Sequence, residues 1–274
     1  HRPAVEIVLT KLHAGGKFDK SIYKVSAGLH GVGISVTNAL SEELTVEISR
    51  DGKLYRQYYK CGNPSSELEI AGTSSNNGTK ITFLPDKSIF ETTIYDYSLL
   101  SKRLMELAFL NAGLQITIAD ERTGQSDDFK FEGGIISFVE HINRNHTALH
   151  KPIHIKKEKN NVIVEAAILY NETYHEEVQA FVNTVNTFEG GTHLTGFRTA
   201  LTRTINNYME KNKFGDMKIT SDDVNEGLIT VLSVKMPEPQ FEGQTKAKLG
   251  NSYMKGPVDS VINSELGFFL EENP

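Results

Sequence analysis

The stretch from His13 to Gly33, HAGGKFDKSIYKVSAGLHGVG, restricts what this chain can build more than any other. Glycine doubles at Gly15-Gly16 and recurs at Gly28, Gly31 and Gly33, with Lys17, Lys20, Tyr23 and Lys24 between the clusters. The second cluster runs directly into Val32 to Leu40, whose apolar spacing predicts a helix. Glycines let successive backbone N–H groups crowd toward one point. A helix start adds its own free N–H groups and the positive end of its dipole. Such a segment is either a tight turn or a phosphate cradle. The spacing from Gly28 is G-x-x-G-x-G, which differs from the dinucleotide fingerprint, and Phe18 after Gly16-Lys17 rules out a Walker A loop.

Around this stretch the chain alternates in type. Pro3 to Leu12 reads as a helix leading into the first glycine pair. Leu44–Ile48 and Leu54–Tyr59 alternate across Asp51-Gly52, a strong hairpin signal, and a further strand is expected near Leu68 to Ile70. Thr79–Leu84 alternates again and stops at Pro85. Tyr95 to Ala112 is the clearest helix of the first half, with Leu99, Leu100, Leu104, Leu107 and Leu110 as its expected apolar face and Gly113 at its end. A second hairpin is predicted across Arg122-Thr123-Gly124, then a helix from Ile135 to Asn143.

Asn145 to Pro152 is polar and without apolar period, so a domain boundary is expected there, giving domains 1–145 and 146–274. Beyond it, Ile153–Lys157, Val162–Leu169 and Val178–Asn183 read as strands. Gly190-Gly191-Thr192 opens the longest helix, with Leu194, Phe197, Leu201, Ile205 and Tyr208 on one side. An apolar strand, Gly227 to Val234, precedes a loop carrying Gln244-Thr245-Lys246, and a last helix spans Val258 to Leu270. Strands and helices neither alternate strictly nor segregate, which points to an α+β chain of two sheet-and-helix sandwiches.

Composition narrows the function classes. The net charge is −6 and both halves are mildly acidic, so the chain lacks the basic patch of a tight nucleic-acid binder. The single Cys61 excludes an internal disulfide and a multi-cysteine zinc site, which fits a reducing, cytoplasmic setting. His175-Glu176-Glu177 lacks a second histidine at metalloprotease spacing, since position 179 is glutamine. Asp127-Asp128 and Asp222-Asp223 read as acidic pairs in turns rather than calcium ligands.

HAGGKFD followed by YKVSAGLHGVGISVTNALS, together with GGTHLTGFRTALTRTINNYM and Gln244-Thr245-Lys246, resembles the DNA gyrase B family of type IIA topoisomerases. That family belongs to the GHKL ATPases, with Hsp90, MutL and histidine kinases. The resemblance covers essentially the whole chain and departs at Ala27, where the family has a third glycine. It implies a truncated GHKL-type ATPase domain, a mixed sheet with helices on one face, followed by a transducer domain like domain 2 of ribosomal protein S5. It implies that Gly28, Leu29, His30, Gly31, Val32 and Gly33 form a lid on the ATP phosphates, with Lys17 and Tyr23 near the nucleotide and Thr79 near the adenine. Gln244 and Lys246 are then expected to reach the γ-phosphate, with Lys248 as a neighbouring control. Read without the resemblance, Lys17 is a solvated lysine, Tyr23 a half-buried ring, Thr79 a strand residue and Lys246 a surface lysine. Arg50 falls on a family arginine at the pocket mouth or is a plain hairpin arginine.

The resemblance further implies ATP and Mg²⁺ as cofactors, and as partners a gyrase A protein, a second gyrase B protomer and double-stranded DNA. The family's general-base glutamate, magnesium-binding asparagine and adenine-reading aspartate would precede His1, so this polypeptide alone is expected not to hydrolyse ATP. The rival readings are the ATPase component of topoisomerase IV and a nucleotide-gated interaction module of the Hsp90 or MutL kind.

Overall fold

The computed structural model describes every residue except His1, 17–24, 26, 27, 29 and 215–217. It divides into two compact units, His1–Tyr95 and Asp96–Pro274.

In the first unit, helix α1 (Ala4–Thr10) and helix α2 (Gly33–Ala39) precede strands β1 (Ser41–Arg50), β2 (Lys53–Lys60), β3 (Asn63–Pro64), β4 (Glu69–Thr73) and β5 (Gly78–Pro85). The β1–β2 turn places Asp51 and Gly52 both at positive φ, 51° and 77°, the conformation whose twist matches the strands it joins. Strand order is β3-β2-β1-β5, with β4 also on β2. Leu44, Val46 and Ile48 of β1 point to the helices, and Leu9, Leu44, Val46 and Tyr59 make the core with Val5 and Ile34 packed on it. Buried Asn38 ties α2 down by donating to Leu9 O at 3.0 Å and Gly62 O at 3.1 Å.

In antiparallel pairs, directly opposed residues share a face. Thr79, Ile81 and Phe83 oppose Ile48, Val46 and Leu44, so they lie on the helix-bearing side. Nevertheless Phe83 is 42% exposed and Ile81 36%, because α1 and α2 stand over β1 and β2. The sheet therefore presents an uncovered apolar strip along β5.

The second unit begins with helix α3 (Tyr97–Leu110), hairpin β6 (Ile116–Asp120) and β7 (Gln125–Phe129), and helix α4 (Ile135–Ile142). Then come β8 (Ile153–Lys159), β9 (Val162–Tyr170), β10 (Glu177–Val182), β11 (Val185–Asn186), helix α5 (Thr192–Asn212), the short helix α6 (Ser221–Asn225) and β12 (Leu228–Lys235). Two-residue strands β13 (Phe241–Glu242) and β14 (Lys248–Leu249) precede helix α7 (Lys255–Glu272). The main sheet runs β11-β10-β12-β9-β8, with β10 and β12 parallel and its other pairs antiparallel.

Its central strand β12 is apolar on both faces. Leu228, Leu232 and Val234 join a core with Phe197, Leu201, Val261 and Ile262 of α5 and α7. Ile229 and Val231 turn the other way, into a second core with Phe109 and Leu110 of α3 and Ile135, Phe138 and Val139 of α4. Alternation along one strand thus feeds two helical layers.

That second core explains why the compact division falls after Tyr95 rather than at the expected 145/146 boundary. The polar run after Asn143 is a surface connection, while α3 and α4 bury their apolar sides on the sheet that follows. The α3 face also differs from expectation. Leu99 is 69% exposed, and the buried side chains are Glu106, Ala108, Phe109 and Leu110 at its C-terminal end. Asp222-Asp223 belongs to α6, where Asp223 forms a reciprocal capping box with Thr220. Among the described residues no helix is long and apolar enough to cross a membrane.

Candidate functional site

The residues expected to form a lid belong to the first unit and Gln244 and Lys246 to the second. Lys17, Tyr23 and Leu29 lie outside the described residues.

In the first unit α2 starts at Gly33 with no side-chain cap on its N-terminus. The hydroxyls nearby turn away from the first-turn N–H groups: Ser35 Oγ donates to Val32 O at 3.0 Å and Thr37 Oγ1 to Gly33 O at 3.0 Å. The leading N–H groups are thus left for an outside acceptor. Gly31 has φ of +60°, which bends the chain into the helix at a conformation costly for residues with a Cβ. The space beside Gly33 is open, since a Cβ built there meets nothing within 4 Å. His13 Nδ1 donates to His30 O at 2.9 Å and so links the segment after α1 to the approach to α2. Thr79 sits exposed at the start of β5. Ile81, two residues on and on the same face, adds an apolar surface that sequence reasoning did not single out. Its period-two spacing from Thr79 was the available signal. Arg50 is exposed beside Asp51, 3.5 Å from its carboxylate, as a plain hairpin arginine would be.

In the second unit the expected loop is framed by a hairpin. Phe241 opposes Leu249 and Glu242 opposes Lys248, so Gly243, Gln244, Thr245, Lys246 and Ala247 form its tip. Gln244 is exposed and Lys246 half-buried, with Lys246 at a left-handed φ of +58°. Strain of this kind in a non-glycine residue is held only where the surroundings enforce it. They do here: Ala247 is buried and its carbonyl accepts Glu189 N–H at 3.0 Å, while Leu249 N–H donates to Gly190 O at 3.1 Å. Gly191 lets β14 approach this closely, because a Cβ there would stand 2.5 Å from Leu249 O. The hairpin is thereby strapped to the N-terminus of α5. Beside it, an open groove of about 800 Å³ runs along α5 past Thr195, Arg198 and Thr202. Its arginines are engaged, Arg198 with Glu176 at 2.7 Å and Arg203 with Asp259 at 2.8 Å.

Comparison with known proteins decides the family. A family profile described as DNA gyrase B matches residues 134–274. The DNA gyrase B protein of Halalkalibacterium halodurans is 53% identical, and that of Archaeoglobus fulgidus 51% identical, each over 100% of this chain. The crystal structure of the 43K ATPase domain of Thermus thermophilus gyrase B, in complex with an aminocoumarin, superposes with a TM-score of 0.82 at 36% identity. That match covers 100% of this chain and 71% of the other. This chain belongs to the DNA gyrase B family. It spans 44% of the length of the two curated gyrase B relatives. A topoisomerase IV ATP-binding domain from Francisella tularensis has the same fold, with a TM-score of 0.78 at 33% identity over 98% of this chain and 72% of that one.

The gyrase B family implies ATP and magnesium. For the phosphates the described residues fit, because the uncapped start of α2 and the open side of Gly33 leave backbone donors facing outward. For the ion they do not supply a cage. Among the described residues no group of three or more His, Cys, Asp or Glu side chains could hold a metal.

Proposed function

We propose that this chain works as the ATP-binding and transducer region of a DNA gyrase B protein, in a longer polypeptide that hydrolyses ATP to drive DNA strand passage and negative supercoiling. Leu29, His30, Gly31, Val32 and Gly33 offer backbone N–H groups to the β- and γ-phosphates, with Lys17 as a further cation for them and Gly28 giving the backbone room. Tyr23 contacts the nucleotide. Thr79 and the apolar face of Ile81 border the adenine. Magnesium, when bound with the nucleotide, neutralises phosphate charge. The partners are a gyrase A protein, a second gyrase B protomer and double-stranded DNA, and the setting is cytoplasmic.

The observation that carries the reading is the finger at Gln244-Thr245-Lys246, held on a hairpin tip by main-chain bonds to the start of α5. Phosphoryl transfer requires little covalent help from protein, so positioned positive charge is the main contribution available. Lys246 supplies that charge at the terminal phosphate, with Gln244 donating beside it. When the phosphate leaves, Lys246 and Gln244 lose that partner.

The test is Lys246→Ala in the full-length protein reconstituted with gyrase A. Loss of a charge-stabilising donor of this kind costs about a hundredfold or more in turnover. Lys248→Ala should be nearly silent, because Lys248 already pairs with Glu242 at 3.2 Å. Unchanged ATP turnover in Lys246→Ala sinks the reading. Negative supercoiling by the wild-type holoenzyme assigns gyrase; relaxation and decatenation alone would assign topoisomerase IV, whose ATP-binding domain shares this fold.

A further inference from the structure

The hairpin that carries Gln244 and Lys246 is short. Strands β13 and β14 pair only through Phe241 with Leu249 and Glu242 with Lys248. Two strands of that length do not hold a shape by themselves. The β14 leg is tied by main-chain bonds to Glu189 and Gly190, just before α5. The foot of the β13 leg is held through Asn251, which is 3% exposed. Gly250 N–H donates to Gln240 O at 2.8 Å, and Asn251 Oδ1 accepts Gln240 N–H at 2.6 Å, so both main-chain groups of Gln240 are engaged. A backbone N–H needs an acceptor, which fixes the end of the carboxamide that faces it. The Nδ2 end then turns to Glu238 O and Tyr253 Oη, each at 3.4 Å. The main chain of the same residue serves the helices. Asn251 O accepts the hydroxyl of Thr192, the first residue of α5, at 2.8 Å, and the N–H of Met254, just before α7, at 3.1 Å.

We propose that Asn251 is a positioning residue for the finger: its side chain grips the foot of the hairpin, its carbonyl grips α5, and together they set the angle at which Gln244 and Lys246 are presented. The inference rests on the reading of Gln244 and Lys246 as the γ-phosphate contacts. Helices α5 and α7 are packed into the large core of the second unit through Phe197, Leu201, Val258 and Val261, so they form a rigid reference. The carboxamide meets Gln240 and Glu238 at main-chain atoms, and the foot of the hairpin cannot shift without breaking those bonds. A hairpin pivots as a lever, so a small tilt at the foot becomes a larger displacement at the tip. A group that stabilises reacting charge must be held within about 0.5 Å of its productive place, and a displacement of about 1 Å costs up to a hundredfold in rate.

The full-length protein together with gyrase A provides the test. Asn251→Ala removes both ends of the carboxamide, and kcat for ATP should fall about ten- to a hundredfold, with KM moving much less. Thr192→Val keeps the volume and deletes only the hydroxyl that α5 gives to Asn251. It should lower kcat about two- to tenfold, the ratio expected for one ordinary hydrogen bond, and Thr192→Ser should restore the rate. In a Gln244→Ala/Lys246→Ala background neither Asn251→Ala nor Thr192→Val should lower the residual rate further, since there is no finger left to aim. If Asn251→Ala fails to fold, Thr192→Val decides. A wild-type kcat for Thr192→Val or for folded Asn251→Ala, or an added loss from either in the double-alanine background, overturns the role of Asn251 while leaving that of Lys246 intact. Unchanged turnover in Lys246→Ala alone overturns both.

Discussion

His193, in the first turn of α5, is wholly buried, and its surroundings settle its proton. Thr187 Oγ1 donates to Ala180 O at 3.0 Å, so it can only accept from His193 Nε2, 3.1 Å away. Nε2 therefore carries the hydrogen, and Nδ1 faces no hydrogen-bond partner among the described residues. Burial lowers the imidazole from 6.5 to about 4. The unfolded chain takes up a proton below pH 6.5 while the folded one refuses it, so stability is full above that value and declines toward pH 4. The slope is about 1.4 kcal/mol per pH unit. Urea midpoints across this range should fall with acid in the wild type, and His193→Gln should flatten the dependence; equal slopes would contradict the assignment. Asp120 acts lower on the scale. Hydrogen bonds from Arg122 hold its carboxyl at about 2, so its contribution is present above the ordinary carboxylate range and is lost as pH falls toward 2.

Among the elements, α5 shows how a close crossing rewrites an apolar stripe. Of the expected face, Phe197 and Leu201 are buried, but Leu194 and Ile205 are only partly so. Small Gly196 and Ala200 and polar His193 and Thr204 occupy the buried side instead. The reason lies at Gly196, where an added Cβ would stand 2.6 Å from Lys255 O and 3.2 Å from its Cα. Gly196→Ala gains about 1 kcal/mol in helix propensity but overpacks a backbone contact at a cost of about 1–3 kcal/mol. Since backbone cannot swing aside as a side-chain end can, the clash should win. Thermal melting should show a Tm several degrees below wild type; a rise would mean that α5 and α7 separate freely.

For the whole molecule the decisive feature is a sheet that needs cover on both sides. A polypeptide of residues 96–274 retains α3 and α4 and should unfold cooperatively with dispersed amide resonances. One of residues 146–274 uncovers Leu169, Phe181, Ile229 and Val231. At about 1.5–3 kcal/mol for each large apolar side chain, the loss is comparable with the entire stability of a domain, about 5–15 kcal/mol. The shorter piece should bind hydrophobic dye and aggregate. If it melts as sharply as the longer one, the layer of α3 and α4 contributes little to the second unit.

Most of the local grammar is readable in the chain itself: the Asp51-Gly52 turn, the alternation of β5, the helix after Gly33 and the glycine start of α5 each depend on residues within a few positions of one another. The family signatures likewise sit in contiguous runs, so the glycine-rich run before α2 and Gln244-Thr245-Lys246 could be singled out from the chain alone. Tertiary structure decided what depends on distant partners. It buried the C-terminal end of α3 rather than its leucine-rich start, and it drew α3 and α4 onto the sheet containing β12, past the polar run that marked a boundary. It also tied Asn251 to Thr192 at the start of α5. No periodicity predicts these outcomes, because which of two apolar faces is covered is settled by the elements that pack against it, and those are far away in sequence.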